Sequence, residues 1–306
     1  MGVDIAYEFA VRNAAIQFVS DLAERSGGEV TRDQLQQFTF EGEHIKLLDT
    51  GRGIRNPRQL AATLTIMTSV GSSYDDKEGP EGLLRYAIQK GELGEGSNEK
   101  LRRAYELELP IIWFHGVRNS VFVPLMPVYL VDERPDTKQY VVAIGQDQKL
   151  MAPQLLSTSD SFVEQDVQKA YVLRMTKQRL HQPAFRAKVL HAYGTRCAVC
   201  SLAHGDLLDA AHIVEDGQPK GQPITANGLA LCKIHHAAYD RDILGISPER
   251  VVSVNQSILR EVDGPMLKHG IQEFHGTPLR VLPAKVSDQP DPERLLLRYE
   301  RFLAAG

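Results

Sequence analysis

Apolar residues along the first part of the chain recur at helical spacing. Val11, Ala15, Phe18 and Leu22 are separated by four, three and four positions, so residues 4–25 are predicted to form a helix with these four on one face. Ser26-Gly27-Gly28 closes it, and Thr31 ahead of Arg-Asp-Gln-Leu predicts a second, N-capped helix. The period then changes. Residues 60–70 are rich in β-branched side chains and alternate as a half-buried strand does, and further strands are predicted at 83–89, 111–117, 121–131 and 140–144, with a helix at 98–108 between them. Pro124 and Pro127 mark the 121–131 strand as an edge or interrupted one. The stretch 91–97 carries three glycines without a following Lys-Ser/Thr and is predicted to be a loop, not a phosphate cradle. Residues 146–161 are polar and predicted to be loop, and 162–194 read as two helices with Pro183 in a tolerated first-turn position. Short strands are expected at 251–254 and 279–282. A final amphipathic helix is expected at 293–303, with Leu296, Tyr299 and Leu303 on one face.

The chain has 306 residues, enough for about two domains, and strands giving way to helices suggest an α+β protein divided as 1–155, a helical linker 156–182, and 183–306. A hydrophobic share of 42% and a charged share of 24% are those of a soluble globular protein. No apolar run reaches the roughly 18 residues of a membrane span, and the acidic N-terminus is unlike a signal peptide, so a cytoplasmic location is expected. The net charge of -4 argues mildly against nucleic-acid binding through bulk charge. Locally the picture differs: from Lys169 to Arg196 there are seven Lys/Arg and no Asp or Glu, a footprint suited either to phosphate contacts or to a solvated helical face.

Three cysteines cannot form a paired disulfide framework, and all fall between Cys197 and Cys232. Cys197-x2-Cys200 and Cys232-x2-His235 are two pairs of the kind that close a tetrahedral Zn²⁺ site, leaving no open position for substrate and therefore giving the metal a structural role. Between the pairs lie Asp209-Ala-Ala-His212-Ile and Asn227-Gly-Leu-Ala-Leu-Cys232, and next to His235 stands His236, followed by Ala-Ala-Tyr-Asp240. This His-Asn-His order resembles the HNH endonuclease family over about fifty residues. The resemblance implies a ββα-metal core in which His212 is the general base, Asn227 orients the loop and the His212 ring, and His236 binds a catalytic Mg²⁺ or Mn²⁺. An unperturbed imidazole, with a pKa of about 6.5, suits the base role near neutral pH. On a helix Asp240 would share a face with His236 and join the metal, the alternative being an ion pair with Arg241 or Lys233. Many family members carry a metal-binding acid or histidine directly before the base. Here that position is Ala211, and Asp209 is the nearest acid on the same strand face.

The N-terminal half carries Ser73-Tyr74-Asp75-Asp76, then Gly82-Leu-Leu-Arg-Tyr86, Asn98-Glu-Lys-Leu-Arg-Arg-Ala104 and Pro110-Ile-Ile-Trp-Phe-His-Gly116. These stretches resemble the SRA domain of the PUA-like barrel superfamily, which implies a β-barrel that flips a modified cytosine out of duplex DNA. A flipped base needs two aromatic faces and an acceptor for its N4 amino group, roles that Tyr74, Tyr86 and either Asp75 or Asp76 could fill. A 5-methyl group adds only about 1 kcal/mol of apolar contact, so 5-methylcytosine and 5-hydroxymethylcytosine are both open. Together the two resemblances imply a bacterial type IV restriction enzyme acting on modified double-stranded DNA, with a homodimer as one route to cutting both strands. The alternatives are a catalytically weak or inactive modified-DNA reader on a zinc-stabilised HNH fold, and an HNH nuclease that reads unmodified sequence.

Overall fold

The computed structural model describes residues 4–49, 53–70, 79, 81–88, 95–156, 162–176 and 181–305, the side chains of 162–168 excepted. It divides into two compact units, 1–183 and 184–306. Among the described residues no helix is long and apolar enough to cross a membrane.

The first unit opens with helix α1 (Ile5–Arg25), whose inner face buries Val11, Ala15 and Val19. Strand β1 (Val30–Thr31) leads into α2 (Arg32–Leu35), where Thr31 is the N-cap expected from the sequence and Gln34 completes a reciprocal capping box with it. A small hairpin, β2 (Thr39–Phe40) and β3 (Glu43–His44), precedes the main sheet. That sheet comprises β4 (Ile54–Arg55), β5 (Thr65–Thr68), β6 (Leu84–Ala87), β7 (Ile111–Arg118), β8 (Val121–Arg134) and β9 (Gln139–Ile144), ordered β4-β5-β7-β8-β9-β6, with β1 added beside β8. Helix α3 (Ser97–Glu106) lies between β6 and β7 in the chain.

The continuous apolar run of β7 follows from burial on both faces. Ile111 and Trp113 join a cluster with Leu84, Tyr86 and Leu101 of α3, while Ile112 and Phe114 point the other way, to Val11, Ala15 and Val19 of α1. Arg12 is fully buried beneath α1, paired with Glu8 and donating to the carbonyls of Ala62, Thr63 and Pro110.

Of the two readings of the 121–131 stretch, the interrupted strand holds for β8 and the edge strand does not. Strand β8 is interior, paired with β7 on one side, and on the other with β1 at Val121 and Phe122 and then with β9 from Val128 onward. Pro124 and Pro127 sit in the interval where β1 has ended and β9 has not begun, so their missing N–H groups interrupt no ladder on that side. A correction concerns residues 146–161, expected as loop: their first part lies in helix α4 (Gly145–Leu156) despite Pro153. Ala152 and Leu155 are buried against Val141 and Ala143, and this apolar contact outweighs the local penalty of the proline. Helix α5 (Phe162–Thr176) ends on the same unit: buried Gln148 accepts from Ile144 N at 2.6 Å and donates to Val172 O and Thr176 Oγ1.

The second unit begins with α6 (Gln182–Ala192), then the Cys197–Cys200 turn, and then an antiparallel hairpin of β10 (Leu208–His212) and β11 (Gly228–Cys232). Helix α7 (Lys233–Asp240) follows at once, with Cys232 as its N-cap. A second hairpin, β12 (Leu244–Ile246) and β13 (Val252–Val254), is followed by α8 (Gln256–Leu259), α9 (Pro265–Gly270) and α10 (Pro292–Ala305). Residues 279–282 are not a strand. Their backbone runs against the cysteine turn instead, Arg280 N and Val281 N both donating to Ala198 O.

The inward face of α10 also differs from expectation. Leu295, Arg298 and Phe302 are buried, whereas Leu296 and Leu303 are exposed and Tyr299, half-buried, stacks on Phe302. The register is set by Arg298, which reaches over the Tyr239 ring, bonds the Tyr239 carbonyl and pairs with Asp242 at the end of α7. A buried arginine that satisfies a helix terminus turns the leucines outward.

Candidate functional site

Cys197 and Cys200 converge because the turn between them is closed by its own backbone: Ser201 N donates to Cys197 O at 2.9 Å and Cys197 N to Leu202 O at 2.9 Å. Cys232 and His235 converge because they lie three residues apart across the start of α7. The four donor atoms lie within 4.8 Å of one another, and among the described residues this is the group so placed. Cys232 Sγ and Cys197 Sγ stand 3.1 and 3.5 Å from His235 Nδ1, and Cys200 Sγ is 4.0 Å from Cys232 Sγ. A tetrahedral Zn²⁺ with sulfur ligands at about 2.3 Å implies S–S edges of about 3.8 Å, so the residues present fit that ion. The thiols share their protons: hydrogen bonds with Cys197 and Cys200 pull the Cys232 thiol down, and the bonds with Cys200 and Cys232 push the Cys197 thiol up.

The hairpin above this cluster carries the candidate chemistry. His212 ends β10 opposite Gly228. Its ring is stacked on Phe185 of α6, with centroids 3.9 Å apart and planes at 17°, and its Nε2 is buried with no hydrogen-bond partner among the described residues. Glycine is required at 228, because a Cβ there would lie 2.4 Å from Val189 and 2.9 Å from the Phe185 ring. Burial lowers the pKa of His212; nearby Asp216 opposes the shift and His236 adds to it.

Asn227 is fully buried at the foot of the connecting loop. Its Oδ1 accepts from Val214 N at 2.9 Å, and its Nδ2 donates to Val214 O at 2.9 Å and Gln222 O at 3.1 Å. The backbone adds an Ile213 N to Asn227 O bond, so the two ends of the loop are fastened to each other immediately beside His212.

His236 lies between two carboxylates. Its Nδ1 is 3.5 Å from Asp209 Oδ2 and its Nε2 is 3.3 Å from Asp240 Oδ2. Asp209 also receives Lys233 at 2.6 Å and Arg186 Nε at 3.6 Å. Burial would raise the Asp209 pKa, but Lys233 and His236 together bring it below the usual carboxylate value. Of the two pairings considered for Asp240, Lys233 is instead engaged by Asp209. Ala211 is fully buried in the core and offers no ligand.

Three participants have no motif to reveal them. Phe185 and Arg186 stand on α6, well ahead of the cysteines; the only signal was the basic run that contains Arg186. Arg186 is held by the carbonyls of Gly205 and Leu208. Lys233, the third, resembles any exposed lysine at a helix start.

In the first unit, Tyr74, Asp75 and Asp76 lie outside the described residues, as do residues 91–94 of the glycine loop and Lys177 and Arg179 of the basic run. Tyr86 is on β6, 3% exposed, edge-on to Trp113 at 5.5 Å, with its hydroxyl donating to Gly53 O at 3.2 Å.

An antiparallel hairpin running directly into a helix, with one histidine closing the first strand, another on the helix and a cysteine-histidine cluster at its base, defines a ββα nuclease domain. Residues 197–247 match the family model described as HNH endonuclease, so the chain carries an HNH endonuclease domain over that span. Among solved structures, the chain is similar to the modification-dependent TagI restriction endonuclease, at 17% identity over 82% of this chain and 85% of that one, with a TM-score of 0.31. It is also similar to the type IV phosphorothioation-dependent restriction endonuclease ScoMcrA, at 14% identity over 61% of this chain and 51% of that one, TM-score 0.24. No curated protein matches the chain.

Proposed function

We propose that the protein is a modification-dependent DNA endonuclease whose HNH domain hydrolyses phosphodiesters and whose first unit selects DNA bearing a modified cytosine. The observation that carries the nuclease half is the pairing of a half-buried, Phe185-stacked His212 on β10 with His236 on α7, across a hairpin locked by Asn227.

A phosphodiester repels nucleophiles through its own charge. His212 takes a proton from water as the water oxygen forms its bond to phosphorus and the ester P–O bond breaks, the leaving ester oxygen carrying away the bonding pair and taking its proton from solvent. Its lowered pKa keeps it neutral and able to accept that proton at cellular pH. His236 and Asp240 hold a divalent cation, Mg²⁺ or Mn²⁺. When bound, that ion neutralises charge developing on the phosphate. The cluster of Cys197, Cys200, Cys232 and His235 holds Zn²⁺ and braces the hairpin without touching substrate.

The selective half rests on sequence chemistry: Tyr74 for stacking and Asp75 or Asp76 as acceptor for the N4 amino group, whereas Tyr86, packed in the core against Trp113, offers no free face to a base. The test is incubation of zinc-loaded protein with Mg²⁺ or Mn²⁺ and matched methylated, hydroxymethylated and unmodified duplexes, repeated with His212→Ala. Cleavage confined to modified duplexes and lost in the variant is expected. Equal cleavage of all three duplexes would remove the modification dependence, and binding without cleavage would make the protein a reader.

A further inference from the structure

The three residues expected to share the catalytic cation do not converge. Asp209 and Asp240 approach opposite nitrogens of the His236 ring, Nδ1 at 3.5 Å and Nε2 at 3.3 Å, whose lone-pair directions diverge across the imidazole. One ion cannot therefore sit against Nε2 and also receive Asp209 as it is held.

We propose that Asp209 is a positioning residue for His236, fixing its Nδ1–H so that Nε2 faces Asp240, and that the divalent cation is held between His236 Nε2 and Asp240 without Asp209. This rests on the reading of His236 as a metal ligand.

Three observations carry the assignment. The 3.3 Å between His236 Nε2 and Asp240 Oδ2 is close to the edge of about 3.0 Å that neighbouring ligands subtend in an octahedral shell with bonds of about 2.1 Å. Asp240 is 61% exposed on its side chain, open to an arriving hydrated ion. Asp209 is in the opposite situation: Lys233 lies at 2.6 Å and the anchored Arg186 at 3.6 Å, so its charge is already matched by two neighbouring cations that would repel a third.

The grip on Asp209 comes from three elements. Arg186 of α6 is itself anchored on the Gly205 and Leu208 carbonyls, Asp209 is in register with Leu231 on β10–β11, and Lys233 opens α7. The carboxylate is thus a fixed post beside the ring. Metal-binding histidines generally donate their second N–H to such a group, which selects the tautomer and keeps the ligating nitrogen unprotonated. An alanine stands where many relatives of the motif have a metal ligand, and Asp209 does not replace it: it works on the far side of His236.

The experiment uses the full-length, zinc-loaded protein as wild type and as Asp209→Ala, Asp209→Asn, Asp240→Ala and His236→Ala, with zinc content and far-UV circular dichroism showing that each is folded. Mn²⁺ alone is the probe, titrated by electron paramagnetic resonance of the free ion, and the His236 tautomer is read from ¹⁵N chemical shifts before Mn²⁺ is added. Wild type is expected in the Nδ1–H form, and Asp209→Ala is expected to lose that preference and weaken Mn²⁺ binding by about 10–100-fold. Asp209→Asn, whose amide oxygen still accepts from Nδ1–H, should return Mn²⁺ affinity to within a few-fold of wild type. Asp240→Ala should lose more affinity than Asp209→Ala. Equal losses in Asp209→Ala and Asp209→Asn, with the tautomer unmoved, would make Asp209 a direct ligand and overturn the proposal while leaving the nuclease reading intact. Unchanged Mn²⁺ binding in His236→Ala would instead remove the metal-ligand reading, and this assignment with it.

Discussion

Asn227 offers a sharp test of how the hairpin is held. Replacing it with alanine deletes three hydrogen bonds, one accepted from Val214 N and two donated to Val214 O and Gln222 O, in a position with no exposed surface. At a net value of about 1 kcal/mol each, the loss is about 3 kcal/mol, and the buried Val214 groups left unpaired push it higher. Since about 1.4 kcal/mol is tenfold in an equilibrium, local opening should become at least a hundredfold more frequent. Native-state hydrogen exchange at the Val214 amide reads this opening without requiring the whole chain to unfold in two states. Asn227→Asp sharpens the test, because it keeps the shape and the acceptor for Val214 N but sets a carboxylate oxygen against two carbonyls. It should open the loop at least as much as alanine, and DNA cleavage should fall with it. Wild-type protection at Val214 in the alanine variant would show that the side-chain bonds of Asn227 do not hold the loop, and the loop-fastening account would fail.

Other consequences can be checked independently. Because burial lowers the His212 pKa and the base must be neutral to act, the acid limb of the cleavage rate should fall below the ordinary imidazole value of about 6.5, with activity lost only as pH drops through the lowered value. Asp216 opposes that shift, so Asp216→Asn should move the limb further toward acid in a pH–rate profile. Gly228→Ala drives a methyl group into Val189 and Phe185, displacing the ring that stacks on His212; cleavage should drop while zinc content, measured by atomic absorption, stays at one ion per chain. Arg12→Met leaves the buried Glu8 carboxylate without its counter-ion, only the Ala61 N–H still donating to it, and strips three carbonyls of their Arg12 donor, which should cost the first unit about 3–5 kcal/mol in denaturant unfolding. Strong chelation, or Cys200→Ser, should unfold the β10–β11–α7 region, seen as loss of exchange protection there with the first unit unaffected.

The metal cluster and the His212, Asn227 and His236 set were legible in the sequence because ligand chemistry restricts residue type and because short spacings such as Cys-x2-Cys fix local geometry. Phe185 and Arg186 were not, since a stacking ring and a tethering guanidinium can arrive from any helix that packs nearby and leave no spacing to read. The α10 face was misread by one position for a related reason. Hydrophobicity alone favours Leu296 and Leu303, whereas the interior partner is an arginine that satisfies the end of α7, and pattern reading assigns arginines to water. Helix α4 was hidden by Pro153 and by Gln148, whose buried bonds are visible only once β9 and α5 stand on either side of it.

The fastening of the hairpin carries a consequence for how such a domain can change. Its chain is closed twice, one closure inside the other: the outer by cysteine donors from before β10 and by the cysteine that ends β11 with the histidine just beyond it, the inner by Asn227 across to Val214. Residues 215–226 therefore form an excursion whose two ends are already pinned together. Lengthening such a segment costs only about 0.6 kcal/mol for each doubling. This segment can accept insertions, and with them new surface for reaching DNA, while the spacing between the two histidines stays fixed.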